Sequence, residues 1–208
     1  MRDKLSRSMI YGGFRSVLTA RFGKAEADGI WSEANRRLLS LAPRGSKLDR
    51  DSKMMVLPAS ALYLALRERA PEQALSLLTD YGTHMGEKIG GAVHAITSIP
   101  GVPKLLWAHI PRLMRAMSAP EKGYIRRIVS ADSGLVGVDI LSCPLHNAAV
   151  DLGIPEAALV VCAMDKAYMT GFRHIRYTRT GSVAQGDACC DYRLQYDETK
   201  TITPPDGN

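Results

Sequence analysis

The period of the hydrophobic pattern changes near Gly123, and this change constrains the fold more than any other feature of the chain. From about Glu26 to Met117 the apolar residues recur every three or four positions, as they do along one face of an α-helix. After Gly123, short segments alternate apolar and polar residues, which is the pattern of a half-buried β-strand. Helices followed by strands are typical of an α+β fold.

The second half of the chain predicts the order ββ-α-α-ββ. YIRRIVSAD and LVGVDILSC flank a turn at Asp132-Ser133-Gly134, and RHIRYTRTG and ACCDYRLQY form a second strand pair. Between the pairs lies a helical segment with a break at Gly153–Pro155. We therefore expect an α+β fold, in which an N-terminal helical region precedes a ββ-α-α-ββ antiparallel sheet layer with helices on one face. We expect one composite domain, with a helical region at 1–122, an α+β region at 123–197 and a flexible tail at 198–208.

Three prolines interrupt the last helical segment of the first half, SIPGVPKLLWAHIPRLMRAM. They are Pro100, Pro103 and Pro111. Because proline removes a backbone donor and clashes with the preceding turn, this spacing predicts a broken or kinked helix pair.

Composition limits the partners of the chain. The formal net charge is +6, but the basic residues are spread out and form no zinc finger, RNP motif or basic helix. We therefore expect no nucleic-acid partner and only a mild attraction for anionic small molecules. No apolar run has the length of a membrane span, and the N-terminus lacks the apolar stretch of a secretory signal. We expect a cytoplasmic protein that has no membrane partner and is compatible with a homo-oligomer.

Two of the four cysteines, Cys189 and Cys190, are adjacent. Cytoplasmic thiols stay reduced, so a disulfide is the weakest interpretation. Strand alternation points Cys190 inward and Cys189 outward. Cys143 closes a strand just before the helix that Pro144 opens, and the helix dipole there favours thiolate. His146 follows three residues later as a candidate base or charged partner. The alternative is that Cys143 packs in the core and His146 is solvated.

Cys162 and Asp165 are three residues apart on the next predicted helix and therefore share a face. Cys162 lies in an apolar run, so it is also a candidate for a small buried hydrophobe. Asp165 lies at the solvent end of that face, where an aspartate is more often a surface residue than a catalyst.

Arg179 shares one strand face with Ile175 and Tyr177, which marks that face as inward. A buried guanidinium requires an anion. Asp187 and Asp191 are the nearest carboxylates in sequence, but alternation keeps both on the outer face. We therefore expect the carboxylate of a substrate to pair with Arg179.

These residues resemble the signature of the L-2-amino-thiazoline-4-carboxylic acid hydrolase family over about Leu141 to Tyr196. The family has a Cys-Pro, a Cys-x-x-Asp, an Arg-Thr and a closing Gly-Asp-x-x-Cys-Asp-Phe. The matching positions here are Cys143-Pro144, Cys162 with Asp165, Arg179-Thr180, and Gly186-Asp187 with Cys190-Asp191. Tyr192 stands where the family has phenylalanine, and Cys189 occupies a variable position of the motif.

The resemblance implies a hydrolase that opens a small cyclic amidine carrying a carboxylate, with no cofactor. The candidate catalytic residues are Cys143, His146, Cys162, Asp165, Asp187 and Cys190, and the candidate substrate-binding residues are Arg179, Thr180 and Asp191. Two mechanisms stay open. A thiolate, by preference that of Cys143, attacks the amidine carbon, or Asp165 or Asp187 activates water to do so. Arg179 would then hold the substrate carboxylate and Asp191 the protonated amidine.

Two other functions are compatible with these residues. The closing strand is similar to that of the small-molecule-binding domain named after vinyl reductases, which is not catalytic. Alternatively, Cys143, Cys162, Cys190 and His146 could form a Cys₃His zinc site, although no CxxC or HxxxH spacing supports it.

Overall fold

The computed structural model describes residues 3–132 and 134–200. Within them the chain forms helices and an antiparallel sheet, so the predicted α+β fold is confirmed. The helices are α1 (Phe14–Phe22), α2 (Lys24–Leu41), α3 (Arg50–Arg69), α4 (Ala74–Thr97), α5 (Val102–Met117), α6 (Pro144–Asp151) and α7 (Glu156–Met169); the strands are β1 (Ile125–Ala131), β2 (Leu135–Ser142), β3 (Ile175–Thr178) and β4 (Cys190–Tyr196). In the part of the chain that is described, no helix is both long and apolar enough to cross a membrane.

The chain folds as two compact units. The first contains Met1–Gly82 and Leu145–Val161, and the second contains Thr83–Pro144 and Cys162–Asn208. The boundaries predicted from the sequence pattern stay a prediction. Residues 201–208 of the predicted tail lie outside the described residues.

The first unit is helical because α1, α2 and α3 each carry an apolar stripe. Their fully buried side chains include Phe14, Leu18, Ile30, Leu62 and Leu66. Helix α3 begins at an Asp49 cap, whose carboxylate accepts the backbone N–H groups of Asp51 and Ser52. Two hydrogen bonds join α6 and the start of α7 to this unit: Arg44 donates to the carbonyl of Asp151 at 2.8 Å, and Tyr63 donates to Glu156 at 3.3 Å.

The sheet belongs to the second unit and has the antiparallel order β1-β2-β4-β3. The register places Ile140 opposite Cys190 and Val138 opposite Tyr192, so these four side chains share one face. That face packs against the apolar side of α5 and the end of α7. The buried members of the cluster are Ile110, Met114, Val136, Val138, Ile140, Met169, Ile175, Cys190 and Leu194.

The segment with three prolines forms one helix, so the predicted pair of helices is wrong, whereas a kink at Pro111 stays a prediction. Helix α5 begins after Gly101, which has a φ of 85°, and runs without interruption to Met117. Pro103 lies in the first turn, where its missing N–H is not needed. Pro111 lies inside the helix, but its neighbours Ile110 and Met114 are buried in the core of the unit. This packing keeps the helix continuous although the proline removes one backbone hydrogen bond.

Glycines on α4 let α7 approach its backbone closely. A Cβ at Gly86 would lie 2.7 Å from the Cβ of Ala167 and would also overlap the carbonyl of Met164. One turn later, a Cβ at Gly90 would lie 3.4 Å from the carbonyl of Tyr168. The absence of side chains at these positions therefore determines how close α7, with Asp165 on it, lies to α4.

Candidate functional site

The centre of the candidate site is the guanidinium of Arg179. Strand β3 ends at Thr178, and the side chain of the next residue, Arg179, turns inward until only 7% of it is exposed. Its Nη1 donates to Asp165 Oδ2 at 3.0 Å and to the Tyr192 hydroxyl at 3.2 Å. Its Nη2 donates to the carbonyl of Cys162 at 3.3 Å. Arg179 thus connects β4 to helix α7.

Asp165 receives two hydrogen bonds on one oxygen and keeps the other oxygen open. Tyr192 donates its hydroxyl to Asp165 Oδ2 at 2.6 Å, the same atom that accepts from Arg179. Among the residues that the structure describes, none donates a hydrogen bond to Asp165 Oδ1. The side chain of Asp165 is 26% exposed. This carboxylate is therefore held in place through one oxygen while the other can accept a proton.

Burial and the neighbouring charged groups together shift the pKa values of these three groups. It raises the pKa of Asp165, and the hydrogen bond from Tyr192 and the charge of Arg179 offset only part of that rise. Burial would lower the pKa of Arg179, but Tyr192, Tyr177 and Asp165 together raise it above its usual value. Burial and the nearby charge of Asp165 raise the pKa of Tyr192 well above its usual value, so Tyr192 stays a donor.

Asp165 lines a cavity of about 100 Å³, which has room for several water-sized groups. Its lining residues are Met114, Met117, Ser118, Tyr124, Ile140, Asp165, Tyr168, Met169 and Tyr192. The walls are mostly apolar, with the carboxylate and the tyrosines as polar groups. The hydroxyl of Ser118 is a further polar group in the cavity wall, and Arg126 Nη1 donates to its Oγ at 2.9 Å. The cavity therefore offers an anion in one place and a cation next to another of its lining residues.

Three thiols, those of Cys143, Cys162 and Cys190, lie beside this cluster, and none of them forms a disulfide. Cys190 is buried, and its sulfur accepts the backbone N–H of Val183 at 3.3 Å. Cys162 lies 3.9 Å from the hydroxyl of Ser182. Cys143 is half-buried and packs against the cluster that contains Cys190. None of the three is among the residues that line the cavity of Asp165.

Burial raises the pKa of Cys162 to about 11. The charge of Arg179 and the hydroxyl of Ser182 oppose this rise, whereas Cys143 and Cys190 add to it because neighbouring thiolates repel each other. Cys162 is therefore a protonated thiol at neutral pH and a weak nucleophile.

Two motif aspartates shape the loop that connects β3 to β4. Asp191 accepts the backbone N–H of Thr180 at 2.8 Å and that of Gly181 at 2.6 Å, as well as the Thr180 hydroxyl at 2.6 Å. Asp187 accepts the backbone N–H of Ser182 at 2.8 Å. Although burial opposes it, this set of donors lowers the pKa of Asp191 to about 2. Thr180, Asp187 and Asp191 thus use their polar groups to hold the backbone that carries Ser182.

The anion that pairs with Arg179 is Asp165, where the sequence led us to expect a substrate carboxylate. Strand alternation describes the faces of a sheet and carries no information about which helix residue packs over them. Asp165 lies on α7 and contacts Arg179 from there. It is a partly buried residue in an ion pair, and not the solvent-exposed aspartate that the sequence also allowed. Tyr168 and Arg126 were not among the sequence candidates. Tyr168 follows Asp165 by three residues on the same helix face, a spacing that could have identified it.

His146 belongs to the first unit, where it is half-buried in the first turn of α6. The cluster of the second unit is assembled without it. Within residues 3–132 and 134–200, no group of three or more His, Cys, Asp and Glu side chains is arranged to hold a metal ion. The hypothesised Cys₃His site is therefore not formed.

Cys189 lies just before β4 and is half-buried. Its pKa is raised by burial and by Asp139 and Asp191, while Arg127 and Arg193 oppose the rise. Asp139 and these two arginines form a network in which Arg127 and Arg193 donate to the Asp139 carboxylate at 2.6 and 2.8 Å. Cys189 thus neighbours this polar network, whereas Cys190 packs in the apolar cluster.

A family model described as L-2-amino-thiazoline-4-carboxylic acid hydrolase matches residues 49–194. This match confirms the resemblance seen in the sequence. No curated protein matches the chain.

Two solved structures of H-NOX proteins align with most of the chain. The crystal structure of the Fe(II) unliganded H-NOX protein from K. algicida has 12% identity and a TM-score of 0.37, covering 94% of this chain and 99% of that chain. The second, described as probing the function of heme distortion in the H-NOX family, has 10% identity and a TM-score of 0.33, covering 97% of this chain and 99% of that chain. Both TM-scores are too low to establish a shared fold or a shared ligand.

Proposed function

The chain belongs to the L-2-amino-thiazoline-4-carboxylic acid hydrolase family, and we propose that it hydrolyses a C–N bond in a small cyclic amidine that carries a carboxylate. One observation carries the proposal. Asp165 lines a cavity and is held by Arg179 and Tyr192 through Oδ2, which leaves Oδ1 without a donor among the described residues. A fixed carboxylate with one open oxygen is suited to accept a proton from water.

The reaction we propose adds one water to the ring. Asp165 Oδ1 takes a proton from water while the water oxygen bonds to the amidine carbon. The electron pair of the carbon–nitrogen double bond moves to the ring nitrogen. The ring nitrogen takes this proton from Asp165, and the bond between the carbon and this nitrogen breaks. As the carbonyl forms, Asp165 accepts the remaining hydroxyl proton and passes it to the released nitrogen. The raised pKa of Asp165 supports this role, because a stronger base accepts the proton more readily.

Arg179 and Tyr192 act in this scheme as positioning residues. Both donate to Asp165 Oδ2, and the guanidinium has no further exposed surface to offer a ligand, since only 7% of the side chain is exposed. The amidine is the cationic part of the substrate, so the carboxylate of Asp165 also favours its binding next to the open oxygen.

A different arginine is then required for the substrate carboxylate. We assign this role to Arg126, whose Nη1 donates to the cavity-lining Ser118. The Nε and Nη2 groups of Arg126 make no hydrogen bond with other described residues. A carboxylate is a suitable acceptor for these groups, because the guanidinium fork matches its two oxygens.

Water activation by Asp165 is better supported than attack by a thiolate. The cavity is lined by Asp165 and not by any of the cysteines. Cys162 has a pKa of about 11, which keeps it protonated. Cys143 stays the alternative nucleophile. We also propose a cytoplasmic location, in which these cysteines would stay reduced.

Incubation of the protein with 2-amino-thiazoline-4-carboxylate tests the proposal, with mass spectrometry recording the gain of one water. 2-Amino-thiazoline, which lacks the carboxylate, is the matched substrate. We expect faster turnover of the carboxylated ring, and a lower KM for it in the wild type than in Arg126→Gln. Arg112→Gln, which removes an exposed arginine on α5, is the control for loss of charge. Binding of the ring without any gain of water would instead indicate a non-catalytic binding module.

A further inference from the structure

We propose that a second cavity of the same unit binds a small oxyanion, such as a phosphate group. This cavity has a volume of about 350 Å³ and shares no lining residue with the cavity of Asp165. It lies among the start of α5, the segment that precedes β3 and the residues that follow β4. Its lining residues are Thr97, Ser98, Ile99, Pro100, Gly101, Pro103, Lys104, Arg173, His174, Tyr196 and Glu198.

The first observation is the guanidinium of Arg173. The residue is partly buried, and its Nε is fully buried without a hydrogen-bond partner. The backbone N–H of Arg173 donates to Thr97 Oγ1 at 3.1 Å, which fixes the residue at the cavity wall. No acceptor for the guanidinium is found in residues 3–132 and 134–200. A partly buried cation without an acceptor is costly, and an oxyanion in the cavity would remove that cost.

The second observation is the backbone of His174, which has a φ of 60° and is the non-glycine residue with positive φ in the described chain. Backbone hydrogen bonds hold this conformation: the N–H of His174 donates to the carbonyl of Lys200 at 3.3 Å, and its carbonyl accepts from Asp197 at 2.8 Å. The ring Nδ1 is buried without a partner among the described residues. Left-handed backbone at a residue other than glycine is strained and is characteristic of ligand sites.

The charges around the cavity favour an anion. Arg173 and Lys104 are cationic, and Glu198 is the acidic residue of the lining. Glu198 is paired with Lys104 Nζ at 3.2 Å, so it leaves the guanidinium of Arg173 uncompensated. Helix α5 also begins at this cavity, at Gly101, without a side-chain cap, and its first N–H groups add positive potential.

Calorimetric titration of the protein with inorganic phosphate tests this inference, with sodium chloride of equal ionic strength as the control titrant. We expect phosphate to bind and chloride to give no comparable heat. Arg173→Gln should weaken phosphate binding about tenfold or more, because it removes a charged donor. Arg112→Gln, which removes an exposed arginine outside the cavity, should bind phosphate as the wild type does.

His174→Gly keeps the test informative if Arg173→Gln does not fold. Glycine adopts positive φ without strain, so this variant should fold at least as stably as the wild type. It should bind phosphate more weakly, because it lacks the imidazole ring at the cavity. Wild-type protein that binds no phosphate would overturn the inference. So would equal phosphate affinity in the wild type, Arg173→Gln and His174→Gly. Neither result affects the ring-opening reaction, which is measured at the other cavity.

Discussion

Arg179 donates a hydrogen bond of 3.0 Å to Asp165, which lies fourteen positions earlier in the chain, on helix α7. This pair joins the end of β3 to the helix that lines the cavity. It makes Arg179 part of the support of this carboxylate. In the reaction that we propose, a different cation therefore has to bind the substrate carboxylate.

Replacing Arg179 should therefore affect folding first. Arg179→Lys keeps the positive charge. It loses the planar guanidinium, which donates hydrogen bonds to Asp165, to Tyr192 and to the Cys162 carbonyl. We expect a loss of about 2 kcal/mol in the free energy of unfolding, measured in urea, because roughly two hydrogen bonds disappear. Arg176→Lys is the matched control, since Arg176 is an exposed residue of β3, three positions before Arg179, and pairs with Asp197. Equal stability of the two variants would contradict this assignment.

Asp191→Ala should loosen the loop between β3 and β4. Three donors, two backbone N–H groups and the Thr180 hydroxyl, would lose their acceptor. We expect a destabilisation of about 1–3 kcal/mol, and a smaller one in Asp191→Asn, which keeps an acceptor oxygen. Limited proteolysis between Thr180 and Ser182 and urea unfolding both measure it. Proteolysis at the wild-type rate in Asp191→Ala would contradict this role.

The same carboxylate predicts a pH dependence of stability. The pKa of Asp191 is lowered from an ordinary value of 3.8 to about 2 in the folded protein. The folded state therefore binds the proton less readily than the unfolded chain does, and the contribution of Asp191 to stability is fully present above pH 3.8. It is lost as the pH falls toward about 2. Asp191→Asn should show a shallower loss of stability than the wild type over this window.

Gly86→Ala should destabilise the second unit. The new methyl group would overlap the backbone of Met164 and lie 2.7 Å from Ala167 Cβ. We expect a loss of about 1–3 kcal/mol, as for other overpacked sites. Gly91→Ala, on the same helix with nothing within 4 Å of its new methyl group, is the control. It should be neutral or gain up to about 1 kcal/mol, since alanine is the better helix former. Similar thermal unfolding of the two variants would refute this close packing.

The sequence predicts the fold well because its signals are local. The change of period near Gly123, the Gly153–Pro155 break and the alternation in β4 each depend on neighbouring residues, and each corresponds to an element of the structure. The pairing of Asp165 with Arg179 depends on how α7 packs on the sheet, which no local pattern contains. The glycines at positions 82, 86 and 90 are spaced by one turn, and this spacing is the sequence signal that indicates the close packing of α7.

Two cysteine variants separate the possible nucleophiles. If Asp165 activates water, Cys143→Ser should keep most of the ring-opening activity, because a serine fills the same space. Cys189→Ser, beside the polar network of Asp139, should keep full activity. Mass spectrometry of the product measures both rates. An inactive, folded Cys143→Ser together with a trapped covalent adduct on Cys143 would make that thiol the nucleophile.

The pH profile of kcat/KM tests whether Asp165 is the base. The proposed reaction needs Asp165 without its proton, so kcat/KM should rise with pH and level off above the pKa of this carboxyl. Burial raises that pKa above its usual 3.8, so the rise should be centred above that value. In Tyr192→Phe the carboxylate loses a donor at 2.6 Å, which should move the rise to higher pH. An unchanged profile in Tyr192→Phe would contradict this coupling.

The most direct measurement compares kcat/KM for 2-amino-thiazoline-4-carboxylate in the wild type and in Asp165→Asn. The amide keeps an oxygen that can accept from Tyr192 and Arg179, but it cannot accept the proton from water. We predict a fall of about a hundredfold or more, with unfolding in urea showing that the variant is folded. Wild-type kcat/KM in a folded Asp165→Asn would contradict the claim that this carboxylate is the base.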